Sequence, residues 1–213
     1  FYSYDGHMAY SSWYDEDTIT DNGLIVTVNK SGIVTNYANI VVGDWTHYRD
    51  KWYYYDADMN PYIGVKTING VEYYFEWEGR LATRTYEGIW VITFDRQLIA
   101  YNQNGVVTDQ QDIVGNKWIK VNNKWYYFDK NLNPYQGVQK VDGVEYFFWS
   151  DGQLATYDYD GISTATSNNY LVSYNKNGIV IEKVKIEGNK WIKFNNNWYY
   201  YDQDLYPYQG IHT

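Results

Sequence analysis

The sequence contains no cysteine, and its 213 residues include only three prolines, three histidines and two methionines. A chain without cysteine fits a protein that avoids redox chemistry. No apolar run approaches the roughly 18 residues that span a bilayer, so we expect no membrane insertion. The net charge of −9 disfavours binding to DNA, RNA or anionic lipid, because these partners need a basic surface. No targeting segment is present and Phe1 lies in mid-pattern, so we expect a monomeric fragment of a larger protein.

Aromatic residues are abundant, with 27 tyrosines and 10 tryptophans making up most of an aromatic share of 21%. Many lie in a motif that occurs three times: KWYYYDADMNPYIG at 51–64, KWYYFDKNLNPYQG at 124–137 and NWYYYDQDLYPYQG at 197–210. Successive copies are 73 residues apart, without insertion or deletion. This spacing predicts one continuous repeat array over 1–213, made of a partial copy (1–39), two full copies (40–112 and 113–185) and a second partial copy (186–213).

Each copy divides into about three similar pieces, which in the middle of the chain are 118–137, 138–156 and 162–181. Each piece has two runs of β-branched and aromatic residues around a turn signal, and the signals are Asn122-Asn123, Asp142-Gly143 and Asn168-Asn169. Apolar runs at helical spacing are absent. We predict an all-β fold of roughly nine β-hairpins, which must bury their apolar faces on one another as a β-solenoid, since a lone hairpin is marginal in water.

Candidate catalytic and metal-binding residues are sparse. None of His7, His47 and His212 recurs at the repeat spacing. Carboxylates do recur, as Asp56, Asp129 and Asp202, but each follows an aromatic run at a hairpin exit, where Asp makes local turn hydrogen bonds. No calcium loop with a distal Glu follows them. We therefore expect no enzyme activity, no catalytic residues, no cofactor and no metal site.

The spacing of Trp118 from Trp125-Tyr126-Tyr127, with Asp129 and Gly137 following, resembles the cell-wall-binding repeat superfamily. This superfamily includes choline-binding modules, the glucan-binding domains of glucansucrases and the repeat domains of large clostridial toxins. The segment VDGVEYFFWSDGQLAT (141–156) is similar to the glucan-binding and toxin repeats, and the Pro-Tyr ending is similar to a longer repeat of lactic acid bacterial surface proteins. The resemblance implies a β-solenoid of hairpins, secretion to the bacterial surface, and binding of a glucan or cell-wall polysaccharide.

The chain departs from choline-binding repeats in two respects. One hairpin in three carries the double-Trp set, and the first Trp follows Asp44, Lys117 or Lys190 rather than Gly. These departures count against a choline site more than against a sugar site.

The paired tryptophans are the strongest candidates for ligand contacts, because two indoles on adjacent strands could form a flat and partly exposed surface on which sugar rings stack. We predict one weak carbohydrate site per copy, near each Trp pair and the following Pro-Tyr-Gly loop. The candidate residues are Trp45, Trp52, Tyr62, Trp118, Trp125, Tyr135, Gln136, Lys140, Trp191, Trp198, Tyr208 and Gln209. Two alternatives stay open: a structural stalk of a giant adhesin without a ligand of its own, and a choline-type cell-wall anchor.

Overall fold

The computed structural model describes residues 16–208, which form nineteen β-strands and no helix. The predicted all-β class is confirmed. Across this range no helix exists that could cross a membrane. The chain divides into two compact units, Phe1–Gln110 and Gln111–Thr213, here called unit 1 and unit 2.

The strands follow one another along the chain as β1 (Glu16–Asp21), β2 (Leu24–Asn29), β3 (Val34–Asn39), β4 (Trp45–Tyr48), β5 (Lys51–Tyr54), β6 (Gly64–Ile68), β7 (Val71–Phe75), β8 (Ile89–Phe94), β9 (Gln97–Asn102), β10 (Val107–Asp112), β11 (Trp118–Val121), β12 (Lys124–Tyr127), β13 (Gly137–Val141), β14 (Val144–Phe148), β15 (Ile162–Ser167), β16 (Tyr170–Asn175), β17 (Val180–Lys185), β18 (Lys190–Phe194) and β19 (Asn197–Tyr201). Three sheets have three strands each, in the orders β1-β2-β3, β8-β9-β10 and β15-β16-β17, so the middle strand is hydrogen-bonded to both outer strands. The other strands pair as the hairpins β4–β5, β6–β7, β11–β12, β13–β14 and β18–β19.

Two-residue turns close the hairpins where the sequence predicts them. Asn122 and Asn123 join β11 to β12 with φ values of 46° and 62°, and Asn168 and Asn169 join β15 to β16 with 48° and 65°. Positive φ at both central residues matches the right-handed twist of the flanking strands, and Asn adopts it at little cost. The turn chemistry thus sets the register of each hairpin.

The prediction that the third piece of each copy is a simple hairpin is wrong. The segment 162–181 was expected to hold two strands, but β17 begins at Val180 and adds a third strand to the sheet. Its sequence VIEKVK is largely exposed and mixes charged residues with valines, and a bulge shifts its register beside Ser173 and Tyr174. A polar edge strand of this kind lacks the apolar alternation by which a strand is recognised.

Buried side chains form several small clusters between neighbouring strands. Strand β14 serves two of them, because consecutive residues of a strand point to opposite faces. Phe148 packs in a cluster with Tyr127 and Leu154, whereas Phe147 packs in another with Tyr174. The hairpin that contains β14 is therefore apolar on both faces.

The buried phenol of Tyr53 gives unit 1 a predicted sensitivity to alkali. Its pKa is raised to about 12, mainly by burial and in part by the neighbouring Tyr55, with Arg80 acting in the opposite direction. A raised pKa stabilises the folded state fully below the unfolded value of about 10, and this contribution is lost as pH rises towards 12. Denaturant unfolding between pH 8 and pH 11.5 is expected to show a decline in stability above pH 10 that is shallower in Tyr53→Phe. An identical decline in both proteins would contradict this assignment.

Candidate functional site

The paired tryptophans lie on adjacent strands but do not form the flat surface expected from the sequence. Trp45 on β4 pairs with Tyr54, and Trp52 on β5 pairs with His47, so the two indoles are diagonal neighbours. Their ring centroids lie 6.4 Å apart at an interplanar angle of 90°. The corresponding pairs Trp118–Trp125 and Trp191–Trp198 lie 6.3 Å and 6.5 Å apart, at 89° and 86°.

The first indole of a pair packs against aromatic rings of the hairpin that follows it. Trp118 stacks on Phe148 of β14 at 5.8 Å and 23°, and the ring of Tyr146 meets it at 5.1 Å. In unit 1, Trp45 stacks on Phe75 in the same way, at 5.9 Å and 24°. These contacts hold the first indole in the first two copies, while the edge-to-face arrangement of the pair also occurs at Trp191 and Trp198, where no described hairpin follows.

The two indoles of a pair differ in how far their side chains are exposed to solvent. Trp45 and Trp118 are half-buried, whereas Trp52 is 41% exposed and Trp125 is 38% exposed. In the last copy Trp191 is 66% exposed, because no described hairpin follows β19 to cover it. In the first two copies the second Trp is therefore the more accessible indole, whereas in the last copy both indoles are exposed.

The tyrosine of each Pro-Tyr loop joins the same aromatic cluster. Tyr135 donates its backbone N–H to Tyr127 O at 2.8 Å, and its ring lies 4.9 Å from Tyr127 and 5.8 Å from Phe148. Tyr62 in unit 1 lies 5.0 Å from the Tyr54 ring, and Tyr208 lies 4.9 Å from the Tyr200 ring. The structure thus brings the first Trp and the loop Tyr into one cluster in both units.

The predicted polar residues are placed less uniformly. Gln136 is exposed beside Tyr135 and donates from Nε2 to Ser150 O at 2.7 Å. Lys140 lies on β13 on the same face as Val138, which packs with Phe147 and not with the Trp118 cluster. Gln209 lies outside the described residues.

Two neighbours of the loop tyrosines were not predicted. Lys66 places its ammonium 5.6 Å from the centre of the Tyr62 ring. At the same position of the next copy, Gln139 donates from Nε2 to Gln136 O at 3.0 Å. Gln139 immediately precedes Lys140, the residue predicted from the sequence, and Lys66 is its equivalent in the first copy. Counting alternate residues along the strand from Gly64 and Gly137 places Lys66 and Gln139 on the same face as these glycines, and this pattern would have identified them.

In unit 1 the Trp pair borders an apolar cleft of about 340 Å³, here called the Trp cleft, which is lined by Trp45, Trp52, Tyr73 and Leu81. Leu81 is held there because its backbone N–H donates to Trp52 O at 2.7 Å. Three aromatic rings and one aliphatic side chain suit a ligand with C–H groups or a soft cation on its surface. In unit 2 the same backbone bond joins Leu154 N–H to Trp125 O at 2.7 Å.

The electrostatic surroundings of the accessible indole differ between copies. Lys120, the cross-strand partner of Trp125, places its ammonium 5.5 Å from the centre of the Trp125 ring. Lys193 lies 5.9 Å from the Trp198 ring in the same way. In the first copy His47 takes this position, with its ring 4.5 Å from Trp52. A lysine over the indole occupies a face that a cationic ligand would need.

The recurring carboxylates make turn hydrogen bonds, as the sequence predicts. The Asp129 carboxylate accepts backbone N–H bonds from Asn131 at 2.7 Å and Asn133 at 2.9 Å, and Asp56 accepts the equivalent bonds from Asp58 and Asn60 at 2.9 Å and 2.8 Å. The backbone bond from Asn133 is the main reason that the pKa of Asp129 lies below its usual value. Within residues 16–208 no group of three His, Asp or Glu side chains could hold a metal ion.

No protein-family model matches the chain. Glucosyltransferase-S of Streptococcus mutans is 26% identical over 213 residues, and the match covers 96% of this chain but only 12% of that protein. Among solved structures, alternansucrase in complex with isomaltononaose is 19% identical with a TM-score of 0.30, covering 94% of this chain and 15% of that one. The autolysin LytC of Streptococcus pneumoniae is 17% identical with a TM-score of 0.32, covering 97% and 50% of the two chains. The sequence match to glucosyltransferase-S bears out the resemblance to the repeat regions of glucansucrases.

Proposed function

We propose that the chain is a non-catalytic carbohydrate-binding part of a larger secreted or surface protein of a bacterium, and that it holds a glucan on its paired tryptophans. The Trp cleft of unit 1 carries this proposal, because it places one accessible indole, Trp52, beside two further rings and Leu81. The C–H faces of a sugar ring pack against such rings, and the edges of the cleft stay open to its hydroxyl groups.

A neutral ligand fits the charges around the second indole. Lys120 and Lys193 already lie over Trp125 and Trp198, so a second cation at these rings would be repelled. A sugar carries no charge and accepts hydrogen bonds from an ammonium group. This arrangement favours a glucan over a choline group in the copies that carry lysine.

The turn hydrogen bonds of the recurring carboxylates support a non-catalytic role for the chain. Asp56 and Asp129 each accept hydrogen bonds from backbone N–H groups of their own turn. The match to glucosyltransferase-S covers 12% of that protein, which accords with a binding part separate from the reaction centre.

The proposal includes a β-solenoid of stacked hairpins in three 73-residue copies, with one weak site per copy. Weak sites repeated along one chain suit a polymeric ligand, because linked sites raise the overall affinity without new contacts. The six residues that serve as first and second indoles in this scheme are Trp45, Trp52, Trp118, Trp125, Trp191 and Trp198.

A choline-type anchor is the second candidate, and the composition of the Trp cleft in unit 1 favours it. Three aromatic rings around an apolar space attract a quaternary ammonium by cation–π interaction, worth about 0.5–2 kcal/mol per contact. In this copy His47 stands where the others have lysine. A choline group would therefore bind unit 1 in preference to unit 2.

Affinity electrophoresis of the full chain in native gels with and without dextran tests the proposal, with a choline-resin pull-down alongside. We expect dextran to retard the wild type, and we expect Trp52→Ala, Trp125→Ala and Trp198→Ala together to abolish the retardation. Trp77→Ala is the matched control, since Trp77 is 73% exposed and does not line the Trp cleft. Retention on choline resin without retardation by dextran would favour the choline-type anchor. If the chain is neither retarded nor retained, the structural stalk would be favoured.

A further inference from the structure

Unit 2 contains a second cleft, of about 630 Å³, between the Pro-Tyr loop and the turn of β15–β16. We call it the polar cleft. Its lining is rich in neutral hydrogen-bonding groups and includes two accessible or half-buried rings: Tyr135, Gln136, Gln139, Trp149, Ser167 and Asn168. Its volume lies within the range of small-ligand sites. No lysine or arginine lines it.

The polar cleft is separate from the paired tryptophans. The residues of unit 2 that correspond by the 73-residue spacing to the lining of the Trp cleft are Trp118, Trp125, Tyr146 and Leu154. None of these four residues lines the polar cleft. A ligand bound in the polar cleft would therefore use a different set of side chains from a ligand on the Trp pair.

The corresponding space in unit 1 is occupied by a phenyl ring. Phe94 stands at the position of Ser167, and a Cβ placed on Gly64 would lie 2.6 Å from Cε1 of Phe94. The ring also meets Tyr74 edge to face at 5.8 Å. In unit 2 the groups nearest to such a Cβ on the equivalent Gly137 are the Ser167 hydroxyl and the Asn168 amide, at 2.8 Å and 2.9 Å, and both residues line the polar cleft.

Three further positions change in the same direction between the copies. Gln136, Gln139 and Asn168 replace Ile63, Lys66 and Asp95 of unit 1, respectively, so that an apolar and two charged side chains become neutral amides. Pro134 and Tyr135 of the Pro-Tyr loop keep the identities of Pro61 and Tyr62, whereas Trp149 and Ser150 stand where unit 1 has Glu76 and Trp77. These three changes supply the cleft with groups that both donate and accept hydrogen bonds.

The two glutamines are already oriented by the protein. Gln136 donates from Nε2 to Ser150 O at 2.7 Å, and Gln139 donates from Nε2 to Gln136 O at 3.0 Å. Because Nε2 of each amide donates to a backbone carbonyl, Oε1 is the amide atom that would accept a hydrogen bond from a ligand hydroxyl. The Asp129 carboxylate at the rim is occupied by the backbone N–H groups of its own turn.

We propose that the polar cleft is a second saccharide site, present in unit 2 and closed in unit 1 by Phe94, so that residue 167 decides whether a copy carries it. The ligand is a neutral, hydroxyl-rich saccharide, because amides, a serine hydroxyl and exposed ring faces bind it while the lack of a cation disfavours an anion. The proposal rests on the proposed carbohydrate-binding function and adds to it a site of different chemistry.

Titration of the ¹⁵N-labelled full chain with isomaltotriose, followed by NMR, tests both sites separately. We expect the side-chain amide signals of Gln136 and Gln139 to shift in the wild type and to stop shifting in Ser167→Phe. The indole N–H signals of Trp52 and Trp125 should respond equally in both proteins, which also shows that the variant is folded. Gln139→Ala supplies a second variant, with about tenfold weaker binding in the polar cleft expected from the lost hydrogen bond.

The outcomes are distinct. Indole shifts without amide shifts would overturn the polar cleft and leave the proposed function intact. If neither set of signals moves, both proposals fail. Amide shifts that persist in a folded Ser167→Phe would overturn the role of residue 167.

Discussion

Trp118→Ala is expected to lower the free energy of unfolding by about 3 kcal/mol, whereas Trp125→Ala is expected to lower it by about 1 kcal/mol. The difference follows from their contacts, although both residues belong to the same repeated motif. Trp118 is half-buried and meets the rings of Tyr127, Tyr146 and Phe148 within 5.8 Å. Trp125 is 38% exposed, and its neighbours are Trp118 and the ammonium of Lys120. Urea denaturation of the full chain, monitored by circular dichroism, measures both values.

The chain supplies its own control for this comparison. Trp191 occupies the position of Trp118 in the last copy, but it is 66% exposed and the described chain places no further hairpin over it. Trp191→Ala should therefore cost about 1 kcal/mol, like Trp125→Ala, because it removes few buried contacts. Equal costs for Trp118→Ala and Trp191→Ala would show that the following hairpin does not stabilise the first indole.

Gly79→Ala is expected to destabilise unit 1 by about 2–5 kcal/mol for two reasons that add. The backbone at Gly79 has a φ of +77°, which costs an alanine about 1–2 kcal/mol. A Cβ at this position would also lie 2.5 Å from Cβ of Pro61, so the Pro-Tyr loop would have to move. Overpacking of this kind costs about 1–3 kcal/mol. Thermal unfolding followed by circular dichroism would record the loss.

Gly70→Ala separates the two contributions. Gly70 has a similar φ of +82°, but a Cβ there would meet no atom within 4 Å. This variant should lose only the conformational part, about 1 kcal/mol. If both substitutions cost the same, the contact between Gly79 and Pro61 contributes nothing to stability.

The hairpins of this protein were predictable because their signals are local. Asn122-Asn123, Asp142-Gly143 and Asn168-Asn169 all form turns with positive φ, as their residue types demand. The turn role of Asp129 was predictable for the same reason, since its carboxylate reaches only two and four residues along the chain. The third strand β17 was missed because an exposed edge strand carries no apolar pattern of its own.

By itself the sequence determined the all-β class, the hairpin turns, the 73-residue spacing and the resemblance to glucan-binding and cell-wall-binding repeats, because each depends on residues close together in the chain or on exact recurrence. Only the tertiary structure decided which Trp of a pair is accessible, since Phe148 and Tyr146 of the next hairpin cover Trp118 and leave Trp125 exposed. It also decided that Lys140 lies away from the Trp118 cluster, that Ser167 lines a cleft in unit 2, and that Phe94, at the same position of the repeat, lies against Gly64. These outcomes depend on contacts between residues that are distant along the chain, and the pattern of any single hairpin does not specify them.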